Sequence, residues 1–148
     1  MSLVVRNVEF EDVNGLAALM HNYIVNFYRK AWPGDRVVRQ LIQTLLEKQE
    51  GIQFVAIKDG EMVGFATLYF TYSTMKAERI TVMNDLYVME PYRDTQVESQ
   101  LFLACQRYTH DLGYARMSWI TAKDNTRAQC FFDKMGGVQG EWVNYSIG

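Results

Sequence analysis

Cysteine, proline and histidine are scarce in this sequence, with two of each in 148 residues. Cys105 and Cys130 cannot make the disulfide framework of a small secreted domain. His21 and His110 stand at no spacing that completes a zinc site with them, so no metal is expected. Both cysteines fall in segments of helical spacing and are expected to be buried thiols, which fits a reducing cytoplasm. With so little proline, and no repeat or low-complexity tract, nothing reads as a linker, and one domain over residues 1–148 is expected. No apolar run is long enough to cross a bilayer, and the N-terminus lacks the charged and apolar regions of a signal peptide, so no membrane contact is expected. Neither sign of charge dominates: 15 Lys and Arg against 17 Asp and Glu, interspersed along the chain, give a net charge of -2. A nucleic-acid binder usually carries a basic stripe, so nucleic acid is not an expected partner. Hydrophobic residues, 49% of the chain, supply a sizeable core.

The patterning alternates between the two periodicities. A first short strand spans 3–9. Glu11 and Asp12 then open a helix whose apolar stripe runs from Val13 through Leu16, Ala17, Met20, Tyr23 and Ile24 to Phe27, ending near Tyr28. Trp32-Pro33-Gly34 breaks it. Asp35 is the expected N-cap of a second helix, with Val38, Leu41, Ile42 and Leu45 inward. Strands at 52–58 and 61–72 flank the hairpin turn Asp59-Gly60. Gly64 inside the second strand predicts a bulge or a close neighbour. After a loop at 73–77 come a strand at 78–88, a helix at 97–112 closed by Gly113, and a strand at 115–121. A last helix, capped by Asp124 or Asn125, ends at Gly136-Gly137, and residues 141–147 alternate as a final strand. Two strands joined through a helix should be parallel. The expected fold is therefore α/β: one mixed sheet flanked by helices.

The stretch from Glu78 to Gly113 draws most attention. Ile80, Val82, Leu86 and Val88 share one face at period two, and Thr81, Met83, Asp85 and Tyr87 the other. Pro91 stops the strand, having no N–H for a ladder. The short loop then aims the unpartnered first amides of the next helix, and the positive end of its dipole, at one spot. Phosphates bind readily at such a place, and Arg93 adds a forked cation.

With these motifs in order, the chain resembles the GNAT N-acetyltransferase superfamily over nearly its whole length. The resemblance rests on the Asp59-Gly60 turn, Asp85-Leu86-Tyr87-Val88 followed by Glu90-Pro91-Tyr92-Arg93, the helix after it, and N-T-R-A-Q-C-F-F-D-K-M-G from Asn125 to Gly136, against a family pattern of roughly N-x-x-A-x-x-F-Y-x-x-x-G. Asp-Leu-Tyr-Val and Trp119 are most similar to the diamine acetyltransferase branch. The resemblance implies two splayed parallel strands with the pantetheine arm of acetyl-CoA between them. The arm would pair with the backbone of Leu86, Tyr87 and Val88. The loop R-x-x-G-x-G/A, which wraps the pyrophosphate in the family, reads Arg93-Asp94-Thr95-Gln96-Val97-Glu98. Asn125 and Phe132 would adjoin the cofactor from the last helix. The implied partner is a small-molecule amine, and a homodimer is an expectation from the family that no residue marks.

Three positions depart from the family pattern. Gln96 replaces Gly, Glu98 replaces a small residue, and Phe132 replaces the Tyr that protonates the departing thiolate. Gly lets backbone approach phosphate without a side chain in the way. Glu98 suits the helix dipole but repels a diphosphate in the same place, and pointing into solvent it would do little harm. Tyr87, Tyr145 or Cys130 could substitute for the missing acid. The amine must attack uncharged, so a base must take its proton: Asp85 first, Glu78 second. A backbone N–H near Val88 would serve the oxyanion. Each residue also has a plainer reading: Asp85 as a surface charge, Asn125 as an N-cap, Phe131 and Phe132 as core. Two functions follow. One is acetyl transfer to a small amine by direct attack on the thioester. The other is a non-catalytic protein of the same fold that binds CoA, another small ligand or a protein.

Overall fold

The structure, a computed structural model, describes residues 2–148. One sheet runs in the order β1 (Leu3–Asn7), β2 (Gly51–Lys58), β3 (Glu61–Ser73), β4 (Glu78–Val88), β5 (Met117–Ser118). The first three pairings are antiparallel, and β4 with β5 is parallel, as the strand–helix–strand order requires. On one face, α1 (Val13–His21) and α2 (Asp35–Leu46) bury Leu16, Ile42, Val55 and Phe65. On the other, α3 (Gln96–Asp111) and α4 (Thr126–Lys134) bury Leu68, Leu101, Phe102 and Phe131. No helix among the described residues is long and apolar enough to cross a membrane.

Two bulges shape the sheet. Ala56 faces Gly64 while Ile57 faces Met62, which leaves Val63 as the extra residue of β3. Gly64 meets both expectations placed on it. Beside that bulge, a Cβ there would lie 2.8 Å from Val88 Cγ1 and 2.9 Å from Leu101 Cδ1. In β4 the extra residue is Asn84, since Thr67 faces Asp85 and Leu68 faces Met83. An extra residue reverses the alternation beyond it. Leu86 and Val88 therefore share the α3 face with Met83 and with Thr81, whose hydroxyl bonds that of Thr109 at 2.7 Å. They do not share a face with Ile80 and Val82. Asp85 and Tyr87 turn to the α1 face, where Asp85 meets Tyr23 and Tyr87 joins the core.

Several expected boundaries move. The first helix changes at Asn22 into a π-helical segment, Asn22–Phe27. Gly34, not Asp35, caps α2, and Asp35 accepts a hydrogen bond from Trp32 Nε1 at 3.0 Å. Leu41 is exposed. The strand expected over 115–121 shrinks to β5, because β4 offers it partners only at Thr81 and Val82. The strand expected over 141–147 does not form: the segment is irregular, with Trp142 85% and Tyr145 89% exposed. Alternation alone makes no strand without an edge to pair with. Cys105 is buried as expected, but Cys130 is exposed.

Candidate active site

Because the β4–β5 ladder stops after Val82 and Ser118, the second half of β4 pairs only with β3 while the chain after Ser118 diverges. The gap is a cleft of about 580 Å³ of empty space, part of it open to solvent. Leu86 and Val88 line one side, Trp119 and Thr121 the other, with Phe132 between α4 and Trp119. The Met89 N–H bonds the Val63 carbonyl at 2.9 Å. Antiparallel strands alternate which way their amides point, so Leu86 and Val88 present N–H and C=O to the cleft while Tyr87 bonds β3. This is the open strand edge that an extended amide-bearing arm needs.

The π segment supplies the rim. Tyr28 N–H reaches back five residues to the Tyr23 carbonyl at 3.1 Å, so Tyr23, Phe27 and Tyr28 gather on one side and line the cleft. Tyr23 Oη donates to Asp85 Oδ1 at 2.8 Å. Burial, then the Asp85 charge, pushes the Tyr23 hydroxyl well above the ordinary phenol range, so Tyr23 stays protonated. Its ring packs edge-on against Phe65 at 5.2 Å, which fixes the hydroxyl in place.

At the start of α3, Thr95 is the N-cap, its Oγ1 accepting from Val97 N–H at 3.2 Å. Thr95-x-x-Glu98 has the spacing of a capping box, but Glu98 folds back past the Thr95 amide to the residue before it. Its Oε1 accepts from Asp94 N–H at 2.9 Å, and Asp94 itself has the left-handed φ of 59°. Arg127, from α4, grips Glu98 with both terminal nitrogens at 3.0 Å and reaches Asp94 Oδ1 at 3.1 Å. Burial disfavours the charged Arg127, yet Glu98 and then Asp94 hold its guanidinium above the ordinary value. Glu98 is 3% exposed, so it does not point into solvent. Arg93 turns toward the strand: its Nε donates to the Val88 carbonyl at 3.1 Å, and its guanidinium lies over the Phe27 ring at 4.9 Å.

Residues 17–137 match the model of the acetyltransferase (GNAT) family. This chain belongs to that family. An uncharacterized N-acetyltransferase, YhfO, of Bacillus subtilis (strain 168) is 27% identical over 132 residues, 89% of this chain and 87% of that protein. Aminoglycoside N(6')-acetyltransferase type 1 of Salmonella typhimurium (strain LT2) is 24% identical over 120 residues, 78% of this chain and 83% of that protein. The crystal structure of a probable acetyltransferase superimposes with a TM-score of 0.83 at 26% identity, covering 100% of this chain and 97% of the other. The aminoglycoside acetyltransferase AAC(6')-Iy, solved in complex with CoA, shares the fold with a TM-score of 0.84 at 21% identity, over 99% of this chain and 95% of that one.

In this GNAT chain the cleft gathers Leu86, Tyr87, Val88, Arg93, Glu98, Asn125 and Phe132 from the expected set. Asp94, Thr95, Gln96 and Val97 form the adjoining turn without lining it. Asn125 caps α4, its Oδ1 accepting from Ala128 N–H at 3.1 Å. Asp85 stands behind Tyr23, not on the wall itself. Glu78 and Tyr145 are not brought to the cleft. The first is exposed at the far end of β4, roughly 33 Å along the strand from Val88, and the second lies in the exposed tail. Nor is Cys130 on the wall. Sequence reasoning missed Tyr23, Tyr28 and Arg127. The capping-box spacing at Thr95 was the available signal that Glu98 turns inward. Nothing local marked Arg127 as its partner.

Proposed function

We propose that this chain transfers the acetyl group of acetyl-CoA to a primary amine of a small molecule by direct attack on the thioester. The observation that carries the reading is the splay, with the N–H and C=O of Leu86 and the N–H of Val88 facing the cleft while Arg93 holds the Val88 carbonyl. The pantetheine arm would run along that edge, and the nucleotide would lie toward the α3 and α4 N-termini. The amine nitrogen attacks the thioester carbon, a C–N bond forms, the C–S bond breaks, and CoA leaves as thiolate. The Val88 N–H is the donor for the oxyanion. The proton of the attacking nitrogen passes to Tyr23 Oη as the Tyr23 proton passes to Asp85, so a tyrosine that never ionises still relays it. Tyr87 and Tyr28, both on the cleft wall, would be the phenols to return a proton to the thiolate in place of Phe132.

Support for an amine acceptor comes from relatives named as aminoglycoside N-acetyltransferases. The diamine branch remains a reading of Asp85-Leu86-Tyr87-Val88 and Trp119 alone. In a homodimer, which no residue marks, the exposed tail side chains Trp142, Val143, Tyr145 and Ile147 would be the apolar surface to cover. Two free thiols fit the cytoplasm. One observation favours the rival reading of a weak or non-catalytic binder: the Glu98 carboxylate on the Asp94 amide, where a phosphate oxygen is expected. Calorimetric titration with acetyl-CoA, followed by thiol release against a panel of primary amines, tests the proposal. Binding with amine-dependent release is the expected result, and no heat at a few hundred micromolar would refute it.

A further inference from the structure

The Glu98 carboxylate has three donors on it: Arg127 Nη1 and Nη2 at 3.0 Å each and Asp94 N–H at 2.9 Å. These join the turn before α3 to the first turn of α4 in the wall of the cleft, which Glu98 and Arg127 both line. A helix N-terminus attracts an anion, and here a side chain of the same helix is that anion. We infer that Glu98 and Arg127 form a displaceable ion pair that sets donor selectivity. Resting on the acetyl-CoA reading above, the inference is that a diphosphate enters only by taking Arg127 and the Asp94 amide away from Glu98.

The geometry allows the exchange in one direction. The Arg127 side chain is 38% exposed and can be met from solvent, whereas that of Glu98 is 4% exposed and cannot leave without its partner rearranging. A diphosphate and Glu98 carry the same sign of charge, so the two cannot share one guanidinium and one amide at contact distance without strong repulsion. The pantetheine arm, along Leu86 and Val88, touches none of these groups. The ion pair therefore penalises the nucleotide end of the donor and leaves the thioester end alone. The consequence is weak preference for whole CoA over its pantetheine arm. Arg127 becomes the guanidinium that receives the diphosphate, while Arg93 stays on the Val88 carbonyl.

The experiment measures dissociation constants of CoA and of pantetheine, which lacks the diphosphate, for wild type and Glu98→Gln. Glutamine keeps the size and the acceptor for Asp94 but not the charge. Wild type is expected to bind the two within about tenfold, and Glu98→Gln to widen the ratio at least about tenfold in favour of CoA. In wild type itself, the Asp94 amide and Arg127 Nε–H resonances are expected to shift with saturating CoA and to stay put with pantetheine, which carries the test if the variant does not fold. Binding of both ligands with an unchanged ratio, or an unmoved Asp94 amide at saturating CoA, would overturn the ion-pair inference and leave the transferase reading standing. No binding of either ligand to either protein would overturn both.

Discussion

Replacing Tyr23 by Phe removes one oxygen and separates two roles of that residue. Structurally, the hydroxyl gives Asp85 a 2.8 Å hydrogen bond, while Asn84 Nδ2 sits at 3.2 Å from each carboxylate oxygen. Losing a neutral donor to a half-buried carboxylate that keeps Asn84 and some water costs about 1.5 kcal/mol of stability, the low end for a hydrogen bond to a charged group. The ring contacts survive, since Phe fills the same space against Phe65 and Tyr87. Catalytically, the loss interrupts the proposed proton route from the cleft to Asp85 through the Tyr23 hydroxyl. General base help of this kind is worth about 100- to 10,000-fold, so kcat should fall at least about 100-fold, or about 2.7 kcal/mol of transition-state stabilisation. Thiol release with an accepted primary amine gives kcat, and urea unfolding gives stability. A double-mutant cycle with Asp85→Asn decides between relay and scaffold. Members of one relay are non-additive, so the double variant should be no slower than the slower single one. If Tyr23→Phe keeps more than about a third of wild-type kcat, or the two losses multiply, the relay is wrong.

Four further outcomes follow from the structure. Asp12, held by Arg6 at 2.7 and 3.0 Å and by Glu9 N–H at 2.7 Å, has its carboxyl below the usual range, chiefly through the Arg6 hydrogen bond. Its stabilisation is complete above an unfolded pKa near 3.9 and is lost as pH falls through the lower folded value. Asp12→Asn should cost about 2 kcal/mol in urea unfolding at pH 7 and progressively less below about pH 4. Gly64→Ala should cost about 1–3 kcal/mol by the same assay, since its Cβ meets the Tyr87 carbonyl at 2.9 Å as well as two side chains. An aromatic disulfide reagent should titrate Cys130 at once and Cys105 only on unfolding, because burial pushes the Cys105 thiol up. If the tail covers a second copy, Trp142→Ser with Tyr145→Ser should shift light-scattering mass from dimer to monomer; an unchanged mass removes the tail as the contact.

What the sequence made legible, and what it hid, divides by how far the responsible contact lies along the chain. The turn at Asp59-Gly60, the helix stop at Gly113 and the parallel crossover into β5 are local or topological, and short windows carry them. The faces of β4 were misread because a bulge is a relation between two strands. Asn84 is extra only relative to Thr67 and Leu68. That one residue decides the site's layout. It turns Leu86 and Val88 to the cleft side and Asp85 to Tyr23, a residue 62 positions away. The π segment escaped notice for a related reason: its Tyr23, Phe27 and Tyr28 satisfy an ordinary helical stripe almost as well as a wider turn. Glu98 is the sharpest case. As a letter in a phosphate-loop pattern it reads as a defect, and as the fourth residue of Thr95-x-x-Glu98 it reads as a cap. Only Arg127, 29 residues on, gives it a third character as a neutralised anion built into the cleft. Glu98, Arg127 and the Asp94 amide thus leave the turn before α3 charge-balanced. Arg127 and Glu98 should then be exchangeable only as a pair. Arg127→Gln alone leaves the 4% exposed Glu98 carboxylate with the Asp94 N–H and no cation; because Arg127 is itself 38% exposed, the loss should be about 1–3 kcal/mol. Adding Glu98→Gln should restore most of that stability in urea unfolding, and no recovery would mean that the two side chains do not depend on each other.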